Sequence, residues 1–292
     1  MTRMPAPAVP VAIAQFAPSA DSEANARQID RMVDVAADRG ASLVVFPEYS
    51  SYFVDPFDQT LARHAQPVDG PFIAALQQSA QRTGTVVVAG LIETATNPAK
   101  VRNAVVAVGS EGVLAVYRKL HLYDAFGQRE SDWVEAGELV PPQTFDVGGL
   151  RWGLMTCYDL RFPEVARTLV DAGAEGMVVP AAWVRGPLKE FQWQTLLAAR
   201  AIENTVFVAA ADHPPPLGVG ASVVLDPQGV AIAGVGTGTD VAVGYVDPDV
   251  IDRVRRVNPA AAVRRDPAPV TGVAGRRRTR ASRLHSSLPT EP

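Results

Sequence analysis

A single cysteine, four histidines, no long apolar run and no surplus of positive charge mark this 292-residue chain, and each scarcity excludes something. One cysteine, Cys157, forms no intrachain disulfide and leaves no cysteine-rich zinc site to assemble. No stretch approaches the length of a membrane span, and the opening Met1–Pro10 has no apolar h-region, so a cytoplasmic protein with a reduced thiol is expected. The formal charge is −4, yet residues 276–292 hold five arginines against Glu291, a balance of +4, so residues 1–275 carry −8. An acidic body lacks the clustered positive face that phosphate neutralisation needs, which excludes a nucleic-acid surface. There is also no glycine-rich phosphate loop.

Hydrophobic residues at 47% and charged residues at 20% are those of an ordinary globular protein. Apolar periodicity gives a strand at Val11–Phe16, then a helix from about Asp21 to Arg39 carrying Ile29, Met32, Val33 and Ala36 at helical spacing. A buried strand Leu43–Phe46 follows, then a helix at Pro71–Arg82, a strand at Thr85–Ile92 and a hairpin of Ala104–Val108 with Val113–Arg118. The second half repeats this order: strand Leu150–Met155, helix Pro163–Ala172, strand Gly176–Val179, helix Glu190–Asn204 and strand Thr205–Ala211. A hairpin of Ser222–Leu225 with Val230–Ala233 and a strand at Val241–Val246 complete it. The doubled order suits two sheets covered by helices, or one doubly wound sheet. No long linker separates the halves, so one domain over residues 9–265 is expected, followed by a partly disordered tail over 266–292. Asp124–Gln143 and His213–Gly220 have weak periodicity, the mark of binding loops.

Three strands end in reactive groups: Leu43–Phe46 delivers Glu48, Val113–Arg118 delivers Lys119, and Leu150–Met155 delivers Cys157. A thiol needs deprotonation to attack, and a close carboxylate can take the proton. A lysine alongside would favour the thiolate and donate to an oxyanion. Singly, each residue has a plain reading: Cys157 as a small buried hydrophobe, Glu48 as a helix-start acid, Lys119 as a surface charge.

The flanking residues carry more. Leu43-Val44-Val45-Phe46-Pro47-Glu48, Tyr117-Arg118-Lys119-Leu120-His121-Leu122 and Cys157-Tyr158-Asp159-Leu160-Arg161-Phe162-Pro163-Glu164 closely resemble, in order, the three motifs of the nitrilase, or carbon–nitrogen hydrolase, superfamily. Trp183, Ala199–Asn204, the Asp226–Gly229 turn and Val257-Asn258-Pro259 with Arg264-Arg265 extend the resemblance, which spans about Val11 to Arg265. It implies an α/β four-layer α-β-β-α sandwich, with Glu48 as general base, Lys119 as oxyanion-stabilising lysine and Cys157 as nucleophile. Gln128–Asp132 looks like the loop of a second glutamate, which makes Glu130 the fourth catalytic residue and Glu135 its reserve. The family's usual Pro-Gly after this loop is Ala136-Gly137 here.

The implied reaction is attack of Cys157 on an amide carbonyl, with Lys119 and the Tyr158 backbone N–H on the oxyanion. Ammonia leaves, protonated by Glu48, and water hydrolyses the thioester, without a metal or organic cofactor. Cys157 is expected to alkylate faster than an unperturbed thiol. Tyr158, Tyr123 and Trp183 are the expected substrate-binding residues, with Tyr49, Phe53 and Phe126 as further aromatic candidates for the pocket wall. Arg161 is expected to pair with an acid at the helix start or to touch the substrate.

Rival chemistries remain. A cysteine–histidine hydrolase would recruit His121, two positions from Lys119, and the same fold could serve as a non-catalytic binding module. Tyr158–Phe162 resembles the amidase branch, including ω-amidases, more than true nitrilases. A small amide, with one bearing a carboxylate among the candidates, is therefore the expected substrate, ahead of an N-carbamoyl compound or a nitrile. By resemblance, a homodimer or larger homo-oligomer is expected, with helices and the segment Asp247–Arg265 at the interface.

Overall fold

The structure, a computed structural model, describes residues 7–265. The expected C-terminal tail and its arginines lie outside the described residues. The first half runs β1 (Val9–Gln15), α1 (Ser22–Asp38), β2 (Leu43–Val45), the short α2 (Thr60–His64), α3 (Pro71–Thr83), β3 (Val86–Thr94), β4 (Val101–Gly109) and β5 (Gly112–Arg118). The second runs β6 (Thr144–Val147), β7 (Leu150–Leu154), α4 (Pro163–Asp171), β8 (Gly176–Pro180), α5 (Lys189–Asn204), β9 (Phe207–Ala211), β10 (Val223–Leu225) and β11 (Ala231–Gly234). The chain then returns through β12 (Asp240–Val246) to α6 (Pro248–Val257).

Two six-stranded sheets result, ordered β12-β1-β2-β3-β4-β5 and β11-β10-β9-β8-β7-β6. Each has three parallel strands at its centre, β1-β2-β3 in one and β7-β8-β9 in the other, with antiparallel strands on both sides. The doubled sequence order is therefore a doubled topology. β12, from the far end of the chain, takes beside β1 the place that β6 takes beside β7.

Strand alternation explains the layers. On β1, Val11 and Ile13 face the other sheet, packing with Trp152, Leu154, Phe207 and Ala209, while Ala12 and Ala14 face α1 and α3. The period of two thus feeds two cores from one strand, which is why β2 and β8 read as unbroken apolar runs and β1 as one from Val9 to Ala14. Ile29, Met32, Val33 and Ala36 of α1 join Phe72, Ile73 and Leu76 of α3 over the first sheet. Val165 and Leu169 of α4 join Trp193 and Leu197 of α5 over the second. The molecule is a four-layer α-β-β-α sandwich.

Local signals set the element ends. Asp21 caps α1 by accepting from the Ala24 N–H at 2.9 Å, and Gly84 closes α3 in the left-handed region at φ 74°. Pro163 opens α4 at its first position. Thr205, expected to begin β9, instead closes α5 with φ 50°.

Candidate active site

The first and second sheets bring equivalent ends together. Glu48 follows β2, and its backbone N–H donates to the carbonyl of Ala181, just after β8, at 3.3 Å. Ala182 returns a 2.8 Å backbone N–H bond to Glu48 Oε2. No helix starts at Glu48; residues 48–51 form a tight turn with Tyr49 in the left-handed region at φ 58°. Cys157 follows β7 and opens a 3-10 helix, Cys157–Arg161, at φ 45°. Thr156 and Asp159 close that turn with a reciprocal capping box. Left-handed backbone at a residue other than glycine costs roughly 1–3 kcal/mol and persists only where its surroundings enforce it.

Lys119, the first residue beyond β5, is buried between two carboxylates. Its Nζ lies 2.8 Å from Glu48 Oε1 and 2.9 Å from Glu130 Oε2. Glu130 sits on a 3-10 turn, Glu130–Asp132, in the weakly periodic loop. Asn103 of β4 bridges both acids, with Nδ2 donating to Glu48 Oε1 at 2.6 Å and to Glu130 Oε1 at 3.1 Å. The Tyr49 hydroxyl and the Tyr123 backbone N–H also donate to Glu130. One buried ammonium thus faces two carboxylates, and neutral donors hold the excess negative charge in place.

Glu48, Lys119, Glu130 and Cys157 all line one cavity of about 460 Å³, with Tyr49, Phe53 and Tyr123 on its wall. Burial pushes the Cys157 thiol well above its ordinary range, Glu48 adds to the rise, and Lys119 opposes it without prevailing. The resting group is therefore a neutral thiol beside a carboxylate, which corrects the expectation of a lysine-stabilised thiolate. Because only thiolate attacks an alkylating agent, iodoacetamide should modify the protein more slowly at pH 7.5 than an unperturbed thiol, with a rate that climbs as pH rises toward 10. A pH-independent, fast alkylation would contradict this.

A narrow recess next to Cys157 is lined by Tyr123, Tyr158, Arg161, Trp183 and Lys189. Among the described residues Arg161 pairs with no acid and its buried Nε has no partner; its Nη2 donates to Gln192 Oε1 at 2.6 Å and its Cζ lies 4.8 Å from the Trp183 ring centroid. Lys189 donates to the Tyr123 hydroxyl at 2.9 Å and lies 3.7 Å over the Phe126 ring. Burial, then the charge of Arg161, lowers its basicity. Two cations that have no carboxylate partner among the described residues thus flank the thiol.

The sequence profile of the carbon-nitrogen hydrolase family matches residues 10–256. The chain belongs to the carbon–nitrogen hydrolase family. This hydrolase is 40% identical over 256 residues to a deaminated glutathione amidase of Escherichia coli O157:H7, covering 87% of this chain and 97% of that one. It superposes on the NitFhit protein of C. elegans with a TM-score of 0.80 at 28% identity, over 90% of this chain and 66% of the longer relative. An amidase from Nesterenkonia sp. gives a TM-score of 0.73 at 26% identity, over 90% and 99% of the two chains. The chain is an amidase-type enzyme of the nitrilase superfamily.

Within this hydrolase the four expected catalytic residues stand together, and the reserve acid does not join them. Glu135 pairs at the surface with Arg102, at 2.6 Å. Gly137 is retained where Ala136 replaces the family's proline because a Cβ there would lie 2.4 Å from the Arg118 carbonyl oxygen. His121 stacks on Phe162 and reaches Asp159 Oδ1 at 2.7 Å, so its ring is engaged with the capping acid of the Cys157 turn. Tyr123, Tyr158 and Trp183 are all adjacent to Cys157 in the recess. The site also contains Asn103, Lys189 and His213, of which the sequence marks only the last, through the weakly periodic stretch His213–Gly220. A lone asparagine in an apolar strand is the only local sign of Asn103, and Lys189 stands one residue before the helix expected over Glu190–Asn204.

Proposed function

We propose that this enzyme hydrolyses a small amide through a thioester on Cys157. The observation that carries the reading is the buried Glu48–Lys119–Glu130 cluster, with Lys119 Nζ within 2.9 Å of both acids, opening on the same cavity as Cys157. Glu48 takes the thiol proton as sulfur attacks the carbonyl carbon, so that no free thiolate need accumulate. Lys119 and the Tyr158 backbone N–H receive the oxyanion. As the tetrahedral species collapses, the C–N bond breaks and Glu48 returns its proton to the leaving nitrogen. A water, deprotonated by the same carboxylate, then opens the thioester to release the acid and the thiol. Glu130 acts by holding Lys119.

Arg161 and Lys189 in the recess support a substrate whose acyl part carries a carboxylate, and relatives named deaminated glutathione amidase support a small amide rather than a nitrile or an N-carbamoyl compound. A panel of these three classes, read by ammonia or amine release, separates them. Within the amidase reading, Glu48→Gln should lower kcat by roughly 10²–10⁴-fold. His121→Asn should stay within a few-fold of the parent. The reverse ranking would favour a cysteine–histidine mechanism.

We place the catalytic domain at residues 9–265 and read the enzyme as a cytoplasmic homodimer or larger homo-oligomer. Exposed Phe191 on α5 and Val257 at the end of α6 offer apolar surface for such contacts. Light scattering that gives only the monomer mass at micromolar concentration would remove the oligomer from this reading.

A further inference from the structure

His213 lies just after β9, outside the three motifs, and is completely buried. Its Nε2 is 2.7 Å from the backbone carbonyl oxygen of Glu48. A carbonyl only accepts, so Nε2 carries the proton and donates. Burial lowers the imidazole from 6.5 to about 4, which keeps it neutral and this tautomer in place at neutral pH.

That carbonyl belongs to the peptide linking Glu48 to the left-handed Tyr49. On one side the link presses on Gly90 of β3, where a Cβ would come within 2.4 Å of the Tyr49 nitrogen and 2.7 Å of the Glu48 carbonyl carbon. Neighbouring backbone bonds run from Gly90 N–H to the Pro47 carbonyl at 3.1 Å and from Ser51 N–H to the Gly90 carbonyl at 3.0 Å. The carbonyl itself is held by His213. The two residues so linked supply two separate parts of the site: the Glu48 carboxylate, bonded to Lys119, and the Tyr49 hydroxyl, bonded to Glu130.

Next to His213, Asp212 stabilises the facing wall. Its carboxylate accepts from the backbone N–H groups of Trp183 at 2.6 Å, Val219 at 2.9 Å and Gly220 at 3.1 Å. Trp183 follows Ala182, whose N–H holds Glu48 Oε2. The dipeptide after β9 therefore reaches Glu48 twice, at its carbonyl directly and at its carboxylate through the 182–183 backbone.

We propose that His213 is a positioning residue for catalysis: by donating to the Glu48 carbonyl it holds the left-handed Glu48–Tyr49 link that aims the carboxylate and the tyrosine hydroxyl together. This rests on Glu48 being the general base. Without the bond, the strained link relaxes toward ordinary backbone and both groups move. Displacement of a reacting group by about 1 Å can cost on the order of 10²-fold in rate.

The test compares His213→Gln, whose side-chain amide can place an N–H where Nε2 was, with His213→Asn, whose shorter amide cannot reach the carbonyl. Glu48→Gln is assayed alongside. Each protein is checked for parental circular dichroism and thermal unfolding, and kcat and KM are measured on the best amide of the panel. His213→Asn should lose roughly 10–10²-fold in kcat with KM little changed, and His213→Gln should recover most of it. Equal activity of folded Gln and Asn variants, or a loss confined to KM, would overturn the proposal. If His213→Asn does not fold, a folded His213→Gln protein with kcat near the parent supports the proposal, and one that has lost tenfold or more overturns it. An active Glu48→Gln protein would instead remove the general base, a failure read separately from that of His213.

Discussion

Replacing Cys157 with alanine should leave a folded protein with no measurable amide turnover, a loss on the order of 10⁴-fold or more. The substitution removes one sulfur from a side chain at the start of a 3-10 turn whose geometry is kept by other groups: the Thr156–Asp159 capping box, the Tyr117 hydroxyl on Asp159 Oδ2 at 2.8 Å, and the Thr156 hydroxyl on the Pro180 carbonyl at 2.7 Å. Stability should therefore change little. Relief of the buried thiol from Glu48 can offset the small lost contact. Substrate should still bind, since the recess and its two cations are intact, so calorimetry on the variant should detect the amide that it no longer consumes. Turnover near the parental rate would remove the thiol from the chemistry.

Lys119→Met should be damaging in two ways at once. Methionine fills most of the same space, but it leaves Glu48 and Glu130 buried around Asn103 without their shared cation. Removing one partner of a buried ion pair costs about 3–5 kcal/mol because the remaining charge stays desolvated. Here two carboxylates lose the same partner. Denaturant unfolding should show a loss at least of that order, and turnover should fall below detection even under conditions where the protein is folded, because the oxyanion loses its charged donor. A Lys119→Met protein as stable as the parent would mean that the neutral donors from Asn103, Tyr49 and the backbone suffice to hold both acids.

Much of this was legible in the sequence because it was written in residue types with strong local meaning. Apolar runs, unbroken in β2 and β8 and interrupted only by Arg151 in β7 and Gln15 in β1, mark four strands, and the repeated order of elements anticipates two matching sheets. The three strand ends carrying Glu48, Lys119 and Cys157 could be located from motif and strand pattern together. The sequence pattern marks none of the short α2, β6 and α6. Thr144–Val147 is only four residues long, with an alternation too brief to register, and α6 buries Ile251 alone among its ten residues. The positive backbone angles at Tyr49 and Cys157 had no local sign either, since neither residue type favours them and tertiary contacts impose them. Arg161, expected either to pair with an acid at the helix start or to touch the substrate, donates to Gln192 and faces aromatic rings in the recess beside Cys157. The stretch His213–Gly220 stands out as a binding loop, but the contact His213 makes has no local sign. Its partner is a backbone carbonyl 165 residues away.

The proposed mechanism requires a covalent acyl group on Cys157 during turnover. Intact-mass spectrometry of the parent enzyme, quenched in acid while it consumes a slow amide, tests it most directly. The expected result is an added mass equal to the acyl portion of the substrate, mapped by peptide analysis to the fragment containing Cys157, absent from Cys157→Ala and greatly reduced in Glu48→Gln. An adduct on another residue, or steady turnover by an enzyme whose acyl-enzyme cannot be trapped with any slow amide, would contradict it.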